Sequence, residues 1–96
     1  VLGLTRAVAL EMAKHNITVN AVCPGFVETP MLDESITNII EKTGMSAKEA
    51  ENTLKAGNPM KRFIQPGEVA DTLSWLASAA AVSVNGQAIS INGGEI

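Results

Sequence analysis

The chain has 96 residues, of which 46% are hydrophobic and 18% charged, a balance typical of one globular unit and unlike a disordered chain. Its net charge of −3 lacks the basic excess that nucleic acid or an anionic membrane surface requires, and its longest apolar stretch, at 75–84, is too interrupted to span a bilayer, so we expect neither partner. A single cysteine excludes an internal disulfide, and with only one histidine beside it the chain lacks the ligands for a zinc cluster, so we expect no metal site. The absence of a disulfide favours a reducing, cytoplasmic setting. The pattern begins inside a helix at Val1, which indicates a piece of a longer protein.

The N-terminal segment is predicted as a helix followed by a strand. Apolar residues recur at helical spacing over 1–14, at Val1, Leu4, Val8 and Met12. The β-branched run at 17–22 then predicts a short strand. Pro24 and Gly25 end this strand, because proline favours an extended residue before it and glycine permits a turn.

Residues 31–58 predict two short helices. Gly44 is placed to end the first, and Ser46 with Glu49 has the spacing of a capping box that opens the second. The apolar positions form a narrow stripe: Met31, Leu32, Ile36, Ile39, Ile40, Met45, Ala50 and Leu54. We expect so thin a stripe to cover another surface without forming a core of its own, and therefore interpret the segment as a lid.

The C-terminal segment is predicted as a third strong helix and a second strand. Pro66 is placed in the first turn of a helix over 66–80, and a strand follows at 87–91 until Asn92, Gly93 and Gly94 break it. Helix, strand, lid, helix and strand is the order of an α/β unit with parallel strands. Two parallel strands are too few for a stable sheet, so we expect part of a larger doubly wound parallel sheet.

The segment Pro24 to Thr29 is the candidate functional site. Ligands of open α/β sheets bind beyond the carboxyl ends of the strands, where this segment would lie. Gly25 allows a ligand to approach the backbone, the amide and carbonyl of Val27 can pair with a flat amide-bearing ring, and the Thr29 hydroxyl offers one further hydrogen bond. The alternative is a plain Pro-Gly turn in which Thr29 caps the next helix, and the spacing alone does not separate the two interpretations.

Three motifs in order carry a resemblance to a known family: "GLTRAVALEMAKHNITVNAVCPGFVETPM", "RFIQPGEVADTLSWLAS" and "NGQAISINGG". Together they resemble the C-terminal part of a short-chain dehydrogenase/reductase, over about Val1 to Gly94. Within that family the chain looks most similar to ketoreductases of the acyl-carrier-protein, polyketide and 3-hydroxybutyrate type. The resemblance implies a Rossmann-like fold, NAD or NADP as cofactor, hydride exchange with a small-molecule carbonyl or alcohol substrate, and a homodimer or homotetramer.

The resemblance also implies roles for the residues of the site. Pro24 and Gly25 would shape the pocket wall at the nicotinamide, Val27 would bind the carboxamide through its backbone, and Thr29 would bind the carboxamide or a phosphate. Substrate contacts would come from Phe26, Met31 and Leu32.

The resemblance implies that the catalytic groups are outside these residues. The family's general acid is a tyrosine followed four residues later by a lysine, and this chain has no tyrosine. By the same match the pair belongs just before Val1, so we expect no catalytic residue in this chain and no activity from the 96 residues alone. The alternative function is a non-catalytic association module that pairs subunits through the apolar faces of helices 1–14 and 66–80 and through the last strand.

Overall fold

We analysed a computed structural model, which describes residues 1–95. It contains four α-helices and two strands, with 3-10 turns at Ala13–His15 and Ala79–Ala81. The helices are α1 (Leu2–Met12), α2 (Pro30–Thr43), α3 (Ala47–Lys55) and α4 (Pro66–Leu76), and the strands are β1 (Ala21–Pro24) and β2 (Ala88–Ile91). The backbone divides into two compact units: the first unit is Val1–Cys23 with Gly67–Ser90, and the second unit is Pro24–Pro66 with the chain from Ile91 onward.

Strand β1 pairs with β2 in parallel, as the order of the elements predicted. The Gly86 N–H donates to the Val19 carbonyl at 2.8 Å, and the Ala21 N–H donates to the Gln87 carbonyl at 2.8 Å. Both strands therefore advance in the same direction along the ladder.

The predicted strand over 17–22 is wrong in its bounds, because β1 begins only at Ala21. Asparagine side chains take the place of ladder bonds before that point. The Val19 N–H donates to Asn85 Oδ1 at 2.9 Å, and Asn20 donates from Nδ2 to the Val84 carbonyl at 2.9 Å. These side-chain hydrogen bonds hold the residues just before β1 in place without regular strand pairing.

The helix predicted over 66–80 ends earlier, with α4 closing at Leu76. Ser78 causes this, because its N–H and its hydroxyl both donate to the Trp75 carbonyl, at 2.9 Å and 2.6 Å. The tightened turn leaves Ser78 with an extended backbone, from which the 3-10 turn at Ala79–Ala81 starts. The predicted start at Pro66 is confirmed.

The second unit contains the predicted pair of short helices. The predicted cap at Gly44 is confirmed, whereas the predicted capping box is only half formed, because the Glu49 carboxylate makes no return bond to the Ser46 N–H among residues 1–95. The Gly44 backbone is left-handed, with φ of 73°, and its N–H donates to the Ile40 carbonyl at the end of α2. Ser46 Oγ accepts the Glu49 N–H at 3.2 Å at the start of α3.

The expectation that this segment forms no core of its own is wrong. Four buried residues cluster there, and three half-buried ones pack against them: Leu32, Ile36, Ala50 and Phe63, then Ile39, Ile40 and Leu54. Phe63 completes the stripe that the two helices present to each other. Burial of one large apolar side chain is worth about 1.5–3 kcal/mol, so this small core stabilises the helix pair directly.

Candidate active site

The segment Pro24 to Thr29 lies in the second unit, where the last turn of the chain supports its beginning. The Gly25 N–H donates to the Ile91 carbonyl at 2.9 Å. A Cβ at Gly25 would lie 3.3 Å from the Asn92 Cβ, tighter than ordinary contact. Gly25 therefore packs closely on Asn92, and it does not serve a left-handed turn, because its φ is not positive.

Val27 is held from the other side by a parallel bridge to Ile64. The Ile64 N–H donates to the Phe26 carbonyl at 2.9 Å, and the Glu28 N–H donates to the Ile64 carbonyl at 2.8 Å. In this parallel bridge Ile64 bonds to the residues on either side of Val27, so the N–H and the carbonyl of Val27 itself point away from Ile64. The Val27 N–H makes no hydrogen bond with any of residues 1–95, so an oriented backbone donor is available there.

Thr29 is the N-cap of α2, which is the structure that the alternative interpretation of the sequence described. Its Oγ1 accepts the Leu32 N–H at 3.4 Å and donates to the Val27 carbonyl at 3.3 Å. Both distances are long for hydrogen bonds. One lone pair of the hydroxyl oxygen stays available, so capping does not prevent a contact with a ligand.

A cavity of about 260 Å³ opens beside this segment. Its lining consists of Gly25, Phe26, Val27, Thr29, Met31, Leu32 and Ser35. Six of the seven predicted site residues therefore meet at one cavity, whose size suits one ring or chain end of a ligand and not a whole dinucleotide. Pro24 lines a separate, shallow depression with Gly25, Phe26 and Glu95.

The apolar part of the lining divides into exposed and buried side chains. Phe26 is 50% exposed and Met31 77% exposed, so a ligand can cover both, whereas Leu32 is 5% exposed and belongs mainly to the core of the second unit. Ser35 was missed from the sequence. It lies four residues after Met31, on the same face of α2, and its hydroxyl donates to the Met31 carbonyl at 3.2 Å. That i, i+4 spacing was the available signal.

None of the residues that line the cavity is charged. Gln65 Nε2 donates to Glu28 Oε2 at 2.5 Å, next to the bridge between Val27 and Ile64. Among residues 1–95 no group of three or more acidic, histidine or cysteine side chains is arranged to hold a metal ion. None of the helices within that range has the length and apolar character needed to cross a membrane.

Comparison with known proteins identifies the family. Residues 1–95 match the family model described as enoyl-(acyl carrier protein) reductase. The D-beta-hydroxybutyrate dehydrogenase of Rhizobium meliloti is 36% identical over 95 residues, which cover 98% of this chain and 37% of that protein. The 3-oxoacyl-(acyl-carrier-protein) reductase of Thermotoga maritima is 40% identical over 94 residues, which cover 98% of this chain and 34% of that protein.

Solved structures agree with this result. A short chain dehydrogenase family protein of Francisella tularensis superposes with a TM-score of 0.93 at 34% identity, covering 98% of this chain and 39% of that one. A variant of the actinorhodin polyketide ketoreductase, solved with NADPH, superposes with a TM-score of 0.86 at 41% identity, covering 97% and 36%.

The matched fold is the α/β fold of a Rossmann-like parallel sheet. The chain belongs to the short-chain dehydrogenase/reductase family, as the three sequence motifs indicated. It spans little more than a third of the length of the relatives that it matches, between 34% and 39% in these four proteins.

Proposed function

We propose that the complete polypeptide carrying this chain is an NAD(P)-dependent oxidoreductase that exchanges hydride between a nicotinamide and a ketone or secondary alcohol, with a 3-oxoacyl or similar substrate. Membership of the family, relatives named as a 3-oxoacyl reductase and a hydroxybutyrate dehydrogenase, and a similar structure solved with NADPH support this function. These residues would contribute one wall of the nicotinamide subsite and part of the substrate pocket.

The observation that carries the proposal is the backbone of Val27. A carboxamide presents one acceptor and two donors in a plane, and Val27 offers the matching pair. Its N–H is without a partner among the residues that the structure describes, and its carbonyl has a lone pair beyond the one that Thr29 uses. The bridge to Ile64 fixes the direction of both groups before any ligand arrives. The residues present therefore fit the amide of a nicotinamide, which supplies the hydride chemistry when bound.

Substrate would occupy the exposed apolar part of the same cavity. Phe26 and Met31 lose exposed surface if an acyl chain covers them, and each buried Å² contributes about 25 cal/mol. Helices α2 and α3 share one core, so they can close over the substrate as one body. We propose them, with the turn as far as residue 58, as the substrate lid.

Proton transfer would be supplied from outside this chain. Tyrosine is absent from the 96 residues, and no side chain of the cavity titrates near neutral pH. The tyrosine and lysine that the family uses would come from another part of the complete polypeptide. The role of the described residues is then to orient the nicotinamide and to exclude water from the apolar side of the pocket.

Assembly into a homodimer or homotetramer would use the first unit. Large apolar side chains on its helices are not covered by residues 1–95, with Leu10 of α1 81% exposed and Leu73 of α4 52% exposed. The rest of the complete polypeptide would cover part of this apolar surface, and the remainder would be the surface for association. The same surface favours the second candidate function, an association module without catalysis. The free thiol of Cys23 suits a reducing compartment, and we propose a cytoplasmic location.

The experiment is an assay of the complete polypeptide. Purified protein is mixed with NADH or NADPH and a panel of 3-oxoacyl esters and other ketones, and absorbance of the reduced cofactor is followed. The proposal expects substrate-dependent loss of absorbance and saturable cofactor binding. If the protein assembles but neither binds a nicotinamide dinucleotide nor oxidises it with any ketone, the oxidoreductase function is refuted and the association module remains as the candidate function.

A further inference from the structure

A buried polar side chain outside the cavity organises the turn after α3. Asn58 is only 8% exposed. Its Nδ2 donates to the Arg62 carbonyl at 2.9 Å, and its Oδ1 accepts the Met60 N–H at 2.7 Å. Its backbone carbonyl accepts the Lys61 N–H at 2.8 Å, and Lys61 has a left-handed backbone with φ of 55°. Residues other than glycine rarely adopt that conformation without support, so the carboxamide of Asn58 defines this turn.

The same carboxamide packs against a second turn, at the end of the chain. A Cβ at Gly93 would overlap the side-chain atoms of Asn58, and Gly93 has a φ of 67°. Asn92 closes that turn, because its Oδ1 accepts the Gly94 N–H at 3.2 Å and its Nδ2 donates to the Glu95 carbonyl at 2.8 Å. The backbone of Gly93 therefore packs directly against the Asn58 side chain, and a residue with a side chain at position 93 would clash with it.

Each of the two turns supports one side of the site. The turn held by Asn92 begins at Ile91, whose carbonyl accepts the Gly25 N–H, and the Cβ of Asn92 packs on Gly25. The turn held by Asn58 ends at Arg62, two residues before Ile64, which forms the bridge to Val27. The two turns that hold the segment from Gly25 to Glu28 in place therefore both contact one buried side chain, that of Asn58. All of these contacts lie within the second unit.

We propose that Asn58 is a positioning residue for the nicotinamide subsite: its carboxamide joins the two supports and thereby fixes the direction of the Val27 N–H and carbonyl. This inference rests on the proposed function, because it assigns a ligand to Val27. Asn58 touches neither the cavity nor the ligand, so it acts only through Gly25 and Ile64. Loss of its side chain would leave the rest of the dinucleotide site intact but would change the direction of the Val27 N–H and carbonyl that bind the nicotinamide.

The test measures the affinity of the complete polypeptide for two probes. One is the reduced dinucleotide that the protein uses, and the other is the matching ADP-ribose, with its 2′-phosphate if that dinucleotide is NADPH, which lacks the nicotinamide. The variant is Asn58→Ala. The control is Asn52→Ala on α3, because the Asn52 side chain is exposed and makes no hydrogen bond with residues 1–95. If the alanine variant does not fold, Asn58→Ser is measured in its place, since a hydroxyl can still accept the Met60 N–H.

We expect Asn58→Ala to raise the Kd of the dinucleotide about fivefold, the worth of one misdirected hydrogen bond, and to change the Kd of the ADP-ribose probe less than about twofold. The control should change neither. Equal weakening of both probes would show a general loss of structure and overturn the inference, as would no change in either. Failure of the unaltered protein to bind the dinucleotide would instead overturn the proposed function, so the two failures are distinguishable.

Discussion

Replacement of Thr29 separates the two tasks that the structure gives to its hydroxyl. Thr29→Ala removes the acceptor of the Leu32 N–H and the donor to the Val27 carbonyl. Loss of an N-cap typically costs about 0.5–2 kcal/mol, and because both hydrogen bonds are long we expect a fall of about 1 kcal/mol in the free energy of unfolding. The variant also lacks the hydroxyl that Thr29 would offer to the ligand, so we expect dinucleotide affinity to fall about fivefold, the worth of one hydrogen bond.

The assay for Thr29 uses the complete polypeptide. Urea unfolding gives the stability, with the m-value checked for constancy, and fluorescence of the reduced cofactor gives the Kd. Thr29→Ser is the matched control, because it keeps the hydroxyl and should retain most of both quantities. A Thr29→Ala protein with unchanged stability would contradict the cap, and one with unchanged affinity would contradict the part of Thr29 in the site. A serine variant as damaged as the alanine variant would show that the methyl group, and not the hydroxyl, matters.

Four further outcomes are expected of the complete polypeptide. Val27→Pro removes the free N–H without removing a bond of the bridge, so dinucleotide affinity should fall about fivefold while Val27→Ala leaves it nearly unchanged in the same titration. Ile36→Ala should lower the free energy of unfolding, measured in urea, by about 2–4 kcal/mol, because it leaves a cavity in the core of the second unit. Gly44→Ala should cost about 1 kcal/mol through its left-handed backbone, whereas Gly3→Ala, in a helix where no atom of residues 1–95 meets the added Cβ, should not lower the stability measured by thermal unfolding. Leu73→Glu on α4 should shift sedimentation toward smaller species, and unchanged assembly would exclude this face from the interface.

The helix boundaries were predictable where the signal was local. Thr43 and Gly44 end α2, Ser46 and Glu49 begin α3, and Pro66 begins α4, as predicted. The end of α2 and the start of α3 depend on hydrogen bonds within about four residues, and the start of α4 depends on the fixed φ of proline, so the sequence displays all three signals directly.

The start of β1 was not predictable, because it depends on residues far along the chain. Asn20 bonds to Val84 and Gln87, more than sixty residues away, and these side-chain bonds replace the strand pairing that β-branched residues suggested.

The site was predictable in its residues but not in its support. Motif resemblance singled out Val27 and Thr29, and the structure brings both to one cavity. Nothing local predicts the bridge from Val27 to Ile64, 37 residues later, or the contact of Gly93 with Asn58. Such pairings follow from how the turns pack, and single-residue propensities do not encode them.

Hydrogen exchange at the Val27 amide of the complete polypeptide, resolved by residue and measured with and without a saturating nicotinamide dinucleotide, tests the assignment of this backbone most directly. We expect the free Val27 N–H to exchange readily in the protein alone and to become protected when the dinucleotide binds, while ADP-ribose gives no protection there. Exchange at Val27 that is unchanged under saturating dinucleotide would contradict the assignment of this backbone to the nicotinamide subsite.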